Sequence, residues 1–76
     1  MRVITTTIDA RGQSCPGPLV TLHRHLKDAR PGELLELLAT DPGSKSDVPS
    51  WARLSGNELV ESSEADGVLH FVIRKA

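Results

Sequence analysis

The 76-residue chain predicts an α/β (α+β) two-layer sandwich, a mixed four-stranded sheet with two helices on one face. Three observations lead there. Four short segments are rich in β-branched residues or alternate apolar with polar, the signature of strands. Two longer segments repeat their apolar residues at helical spacing. Gly- and Pro-containing turns separate all six, in the order βαβαββ, with no linker, repeat or low-complexity stretch between them. A chain this short has room for one core, so residues 1–76 form a single domain.

The first segment, residues 3–9, carries Val3, Ile4, Thr5, Thr6, Thr7 and Ile8, a β-branched run that reads as a strand. After the turn at Arg11–Ser14, residues 16–29 place Leu19, Leu22, Leu26 and Ala29 on one helical stripe, with His23, Arg24 and Lys27 opposite. "RPG" at 30–32 stops that helix. Residues 33–40 then set Leu35, Leu37 and Ala39 on one strand face and Glu36 on the other, where Leu34 and Leu38 make that second face only partly polar. "TDPGSKSDVPSW" opens a second helix running to about Leu54, with Val48, Trp51, Ala52 and Ser55 sharing a face, and "SGN" ends it. Pro49 fits only if the residues before it form a loose first turn. Strands at 58–63 and 68–75 follow, the second with Leu69, Phe71 and Ile73 alternating against His70 and Arg74; "EADG" between them signals a hairpin. Two parallel strands joined through a helix need a crossover, and two amphipathic helices then cover one face of the sheet. The other face is left partly wet.

Composition narrows function. Nine Lys+Arg against ten Asp+Glu give a net charge of −1, which argues against a polyanion binder, and the aromatic pair Trp51 and Phe71 cannot build a base-stacking platform. No direct nucleic-acid contact is expected. No apolar window is long enough for a membrane span and the N-terminus lacks a signal-type apolar core, so a cytoplasmic protein without membrane association is expected. One cysteine forms no internal disulfide, and His23 and His25, two apart on a helix, point to different sides; no metal and no other cofactor is expected.

That cysteine is the informative residue. In "RGQSCPGPL" a helix beginning at Pro16 makes Cys15 its N-cap, Pro16 its first residue and Pro18 its third. Pro16 and Pro18 have no N–H, which leaves the amides of Gly17 and Leu19 as first-turn donors. Gly17, lacking Cβ, eases the conflict of helical backbone ahead of Pro18. The sulfur therefore meets the positive end of a helix, with Arg11 as a second possible cation, and both favour thiolate over thiol. An unpaired cysteine is otherwise a small buried hydrophobe. The polar approach through Arg11, Gly12, Gln13 and Ser14 favours an exposed one.

A lone exposed thiolate has few occupations. Cysteine hydrolysis needs a positioned histidine, yet His23 and His25 lie a turn or more along the same helix and His70 is mid-strand. A dithiol oxidoreductase needs a resolving cysteine that this chain lacks. What remains is a carrier that takes a group from one protein and gives it to another, the partners docking on the basic helix side at His23, Arg24, Lys27 and Arg30. The alternatives are a non-catalytic interaction or regulatory module with an inert Cys15, and a thiol redox sensor.

These residues resemble a known family. "RGQSCPGP" is similar to the Cys-Pro-X-Pro signature of TusA/SirA-like sulfur carriers; "DPGSKSDVPSW" and the terminal "HFVIRKA" resemble its second motif and last strand, so the likeness spans the chain. The resemblance implies a βαβαββ sandwich and a sulfurtransferase-type function: Cys15 accepts a sulfane sulfur as a persulfide and relays it. It implies a sulfur-donor protein of cysteine desulfurase or rhodanese type and a sulfur-acceptor protein, serving tRNA thiolation or dissimilatory sulfur oxidation and trafficking. Pro16 and Pro18 match the signature prolines, Arg11 and Gly12 the turn before them, and Asp41 an acidic position linked to transfer between partners; locally, Asp41 also reads as a turn or helix-cap aspartate. Many members serving tRNA thiolation carry Glu between the prolines and Arg or Lys before the cysteine. Gly17 and Ser14 here look closer to members working in sulfur oxidation or other trafficking.

Overall fold

The computed structural model describes residues 3–14 and 17–76. The expected N-cap, Cys15, and the expected first helical residue, Pro16, lie outside the described residues. The six elements are β1 (Thr6–Ala10), α1 (Gly17–Asp28), β2 (Leu34–Ala39), α2 (Ser44–Leu54), β3 (Glu58–Ala65) and β4 (Val68–Arg74). They form a four-stranded sheet in the order β1-β2-β4-β3, in which β1 and β2 are parallel and the remaining pairs antiparallel. The fold is the α+β mixed-sheet architecture that the element order predicts.

The first strand sits later than its composition suggests. Its ladder runs from Thr6 opposite Leu35 to Ala10 opposite Ala39, and Thr5 N–H donates to the Leu34 carbonyl at 2.8 Å. Because β2 begins only at Leu34, after the Pro31–Gly32 turn, Val3 and Ile4 have no strand to pair with, and Val3 is exposed. Pairing, not β-propensity, sets the boundary.

Period-two alternation puts Ile8, Ala10, Leu35, Leu37, Ala39, Leu69, Phe71 and Ile73 on one sheet face, where Leu22 and Leu26 of α1 and Val48 of α2 cover them in a single cluster. Leu19, Ala29, Trp51 and Leu59 pack partly buried around it. On the outer face Leu34 and Val72 are buried, while Glu36, Leu38 and His70 are half-exposed.

The second helix accommodates Pro49 at its sixth residue. Its entry is tight: Ser44, Lys45 and Ser46 each donate to the carbonyl three residues back, before Asp47 N–H reaches Gly43 four back. The exit is a Schellman pair, Asn57 N–H to the Ala52 carbonyl (3.0 Å) and Gly56 N–H to Arg53 (3.2 Å), so "SGN" does end the helix. Ser55, expected on the buried face, is instead the exposed C-cap.

The final hairpin is longer than expected, with β3 extending to Ala65 and one irregularity between Leu59 and Glu61. Its two-residue loop is Asp66–Gly67, both at positive φ (53° and 78°), the left-handed geometry that matches strand twist in such turns.

Candidate functional site at the edge where both helices begin

Parallel β1 and β2 end together, Ala10 beside Ala39, and α1 and α2 start just beyond them. Two loops therefore meet at one sheet edge, the place where open α/β sheets present ligands. The first, residues 11–14, leads to Cys15. Gly12 stands at φ 81° and donates its N–H to Thr40 Oγ1 at 2.9 Å, which ties this loop to the end of β2. Gln13 N–H donates to the Ala10 carbonyl at 3.3 Å and fixes the turn.

Arg11 does not stand free beside the thiol-bearing segment. Its Nε and Nη2 donate to the two carboxylate oxygens of Asp9 at 2.9 and 2.8 Å, and its backbone N–H donates to Asp9 Oδ1 at 3.1 Å. These bonds lower the Asp9 carboxyl to about 2 and raise the guanidinium above its ordinary value. The cation that the sequence offers to a thiolate is thus largely compensated by Asp9, two residues upstream on the exposed edge of β1.

The start of α1 also departs from the sequence reading. Gly17 N–H, expected to point outward as a free first-turn donor, donates to the Ser14 carbonyl at 2.8 Å. Pro18 is fully buried and begins the inward stripe Pro18, Leu22, Leu26. It is a core residue as well as a motif residue. Gln13 lies across Gly17, where an added Cβ would meet Gln13 Oε1 at 3.0 Å; Thr21 Oγ1 donates to Gln13 Oε1 at 3.4 Å and to the Gly17 carbonyl at 3.1 Å.

At the head of α2 the Asp41 carboxylate lies over Gly43, with Oδ2 3.0 Å from where a Cβ would stand, and the Asp41 carbonyl accepts the Ser44 N–H at 3.0 Å. A carboxylate at this end of a helix is favoured by the aligned peptide dipoles. Asp41, Gly12 and Gly17 thus come together at one edge, each through an element end rather than through sequence proximity.

The basic residues His23, Arg24 and Lys27 are exposed on α1. His23 meets Trp51 of α2 edge-on, ring centroids 6.0 Å apart at 88°, so half-buried Trp51 is both core wall and surface. His25 Nδ1 lies 3.0 Å from the Thr21 carbonyl. His70 sits on the outer sheet face, 3.6 Å from Glu36, away from the helix layer. Among the described residues no group of three His, Cys, Asp or Glu side chains is arranged to hold a metal ion, and no helix is long and apolar enough to cross a membrane.

Sequence reasoning passed over Asp9 and Thr40, and read Gln13 only as part of the polar approach to Cys15. Asp9, two residues before Arg11, carried a readable signal; Thr40 acts on Gly12 from a segment far along the chain and carried none.

A small α+β domain with one cysteine in its sequence, between the loop that follows β1 and the start of α1, fits the class of single-thiol carriers. The particular family follows from comparison. Residues 6–75 match the family model described as sulfurtransferase TusA, and the chain belongs to that family. It is 42% identical over 69 residues to a sulfur carrier protein TusA of Pseudomonas fluorescens, covering 91% of this chain and 83% of that one. It is 47% identical over 73 residues to a putative sulfur carrier protein of Halobacterium salinarum, covering 95% and 90%. The crystal structure of a SirA-like protein from Desulfitobacterium hafniense superimposes with a TM-score of 0.80 at 30% identity, over 91% of this chain and 95% of the other.

Proposed function

We propose that the protein is a sulfur carrier in which Cys15 receives a sulfane sulfur, holds it as a persulfide and passes it on. The match of residues 6–75 to the sulfurtransferase family carries this reading. The chemistry balances without an outside oxidant. The Cys15 thiolate attacks the outer sulfur of a donor persulfide, a new S–S bond forms, and the donor's S–S bond breaks as its thiolate leaves with the electron pair. The outer sulfur's proton passes to the leaving thiolate or to water. Onward transfer repeats the step, with Cys15 as the leaving thiolate.

The described edge suits this task. The Gly12–Thr40 tether and the Gly17–Ser14 hydrogen bond fix the residues on either side of the cysteine in the chain. In this reading Arg11, Gly12, Pro16, Gly17 and Pro18 shape the loop. Asp41 acts between partners, and His23, Arg24 and Lys27 dock a donor of cysteine desulfurase or rhodanese type and then an acceptor protein. The setting is the cytoplasm, and Gly17 with Ser14 favours sulfur oxidation or trafficking over tRNA thiolation.

Radiolabelled sulfur tests the relay. Label supplied through a desulfurase and labelled cysteine should appear on the chain, leave with reductant and be absent from Cys15→Ser. Label that never enters the wild-type chain overturns the proposal.

A further inference from the structure

The sheet has two free edges, and they are unlike. β1 is five residues long, whereas β3 runs for eight, the longest strand of the four, and pairs only with β4. Along its other side, backbone N–H and C=O groups face outward without a ladder partner among the described residues. Residues 61–67 are exposed throughout. A long open edge is a template for pairing with another chain, and proteins commonly shorten it, cover it or guard it with lysine.

Here the edge carries something else. An apolar notch of about 260 Å³ lies beside it, lined by Pro49 and Arg53 of α2, Asn57 of the connecting turn and Leu59 of β3 itself. At the same end of α2, Leu54 is 87% exposed. The strand and its turn are also acidic: residues 58–67 hold Glu58, Glu61, Glu64 and Asp66 and no Lys or Arg. Arg74 holds Glu58 at 2.8 Å and Lys45 holds Glu64 at 3.0 Å, so those two are fixed along the strand. A second copy is a poor occupant. Its β3 would set acidic residues against acidic ones, and its β1 offers Asp9 as the charged residue.

We infer that β3 is a docking edge for an extended segment of a different protein, basic on one side and apolar on the other. A strand paired to β3 presents alternate side chains to the two faces of the sheet. On the helix face, an apolar side chain fills the notch beside Leu59. On the outer face, where Glu61 lies opposite Val72, Lys or Arg side chains meet the acidic row. β2 and β4 stand between β1 and β3, a separation of about 14 Å at ordinary strand spacing. A partner gripping β3 therefore leaves residues 11–14, at the end of β1, uncovered. No step of this involves the thiol, so the inference is independent of the carrier reading.

The test titrates the isotope-labelled full chain with the capped peptide Lys-Val-Lys-Leu-Lys-Val-Lys, read by amide shifts and hydrogen exchange in NMR. Three companion peptides replace every Lys by Glu, the Leu by Ala, or each Val by Pro. The basic peptide should shift and protect amides of residues 59–65. With Ala for Leu it should bind about tenfold more weakly, for the apolar surface no longer buried in the notch. The Glu and Pro peptides should leave the β3 amides unmoved, the first by repulsion and the second because proline cannot complete a ladder. Glu61→Lys should weaken the basic peptide about fivefold with an unchanged circular dichroism spectrum, and Glu61→Gln should fall between it and wild type. The inference is overturned if the β3 amides stay unmoved at millimolar basic peptide, if the shifts fall on other elements, or if the Pro or Glu peptide binds equally well. Shifts in β3 that grow with chain concentration alone make a second copy the occupant and overturn it too.

Discussion

Gly12 and Gly67 make a matched pair in which strain and function separate. They stand at nearly the same φ, 81° and 78°, and an added Cβ at either meets nothing within 4 Å. Alanine at each position therefore costs only the left-handed backbone penalty, about 1 kcal/mol. For a domain of this size that lowers Tm by about 4–8 °C, by a similar amount at both sites. The consequences for the thiol differ. Gly67 lies in the β3–β4 turn, whereas Gly12 ties the Cys15 loop to Thr40 through its 2.9 Å hydrogen bond. Thermal melts followed by circular dichroism, with alkylation rates of the single thiol measured below the transition, separate the two effects. Both variants should melt early and only Gly12→Ala should change the alkylation rate. An unchanged rate in Gly12→Ala, or an equal change in Gly67→Ala, refutes the claim that this loop geometry governs the thiol.

Further outcomes follow from the core and the edge. Phe71 is fully buried between the layers, and Phe71→Ala should cost about 3–5 kcal/mol, enough to leave much of so small a domain unfolded in a urea titration. Pro18→Ala removes part of a buried ring and should lower Tm, at about 1–2 kcal/mol, while only modestly altering thiol alkylation. Asp9 is held at about 2 against an ordinary 3.8, so its pairing with Arg11 is fully formed above about pH 4 and is lost as pH falls through about 2. An NMR titration of the Asp9 carboxyl should show that midpoint in wild type and one near its ordinary value in Arg11→Ala.

Much of the fold was legible because its signals are local. Alternation in residues 69–73 and the helical stripe of Leu22 and Leu26 each name an inward face without knowledge of the partner. The Asp66–Gly67 turn and the "SGN" stop are equally local, since backbone geometry dictates the residue type. The start of β1 was not legible, because the length of β2 decides it. The site divides along the same line. Cys15 and its prolines announce themselves in the sequence, as does the acidic Asp41. The compensation of Arg11 by Asp9, the burial of Pro18 and the tether of Gly12 to Thr40 need three-dimensional neighbours. The use of the Gly17 amide by Ser14 shows the limit most plainly: counting donors at a helix start does not say which of them the preceding loop consumes.

Intact-mass measurement after incubation with a donor persulfide reaches the central claim most directly. The account predicts that the wild-type chain gains the mass of one sulfur atom, loses it on reduction or on meeting an acceptor thiol, and gains none when Cys15 is serine. A wild-type mass that stays unchanged, or an added sulfur that persists in Cys15→Ser, contradicts it.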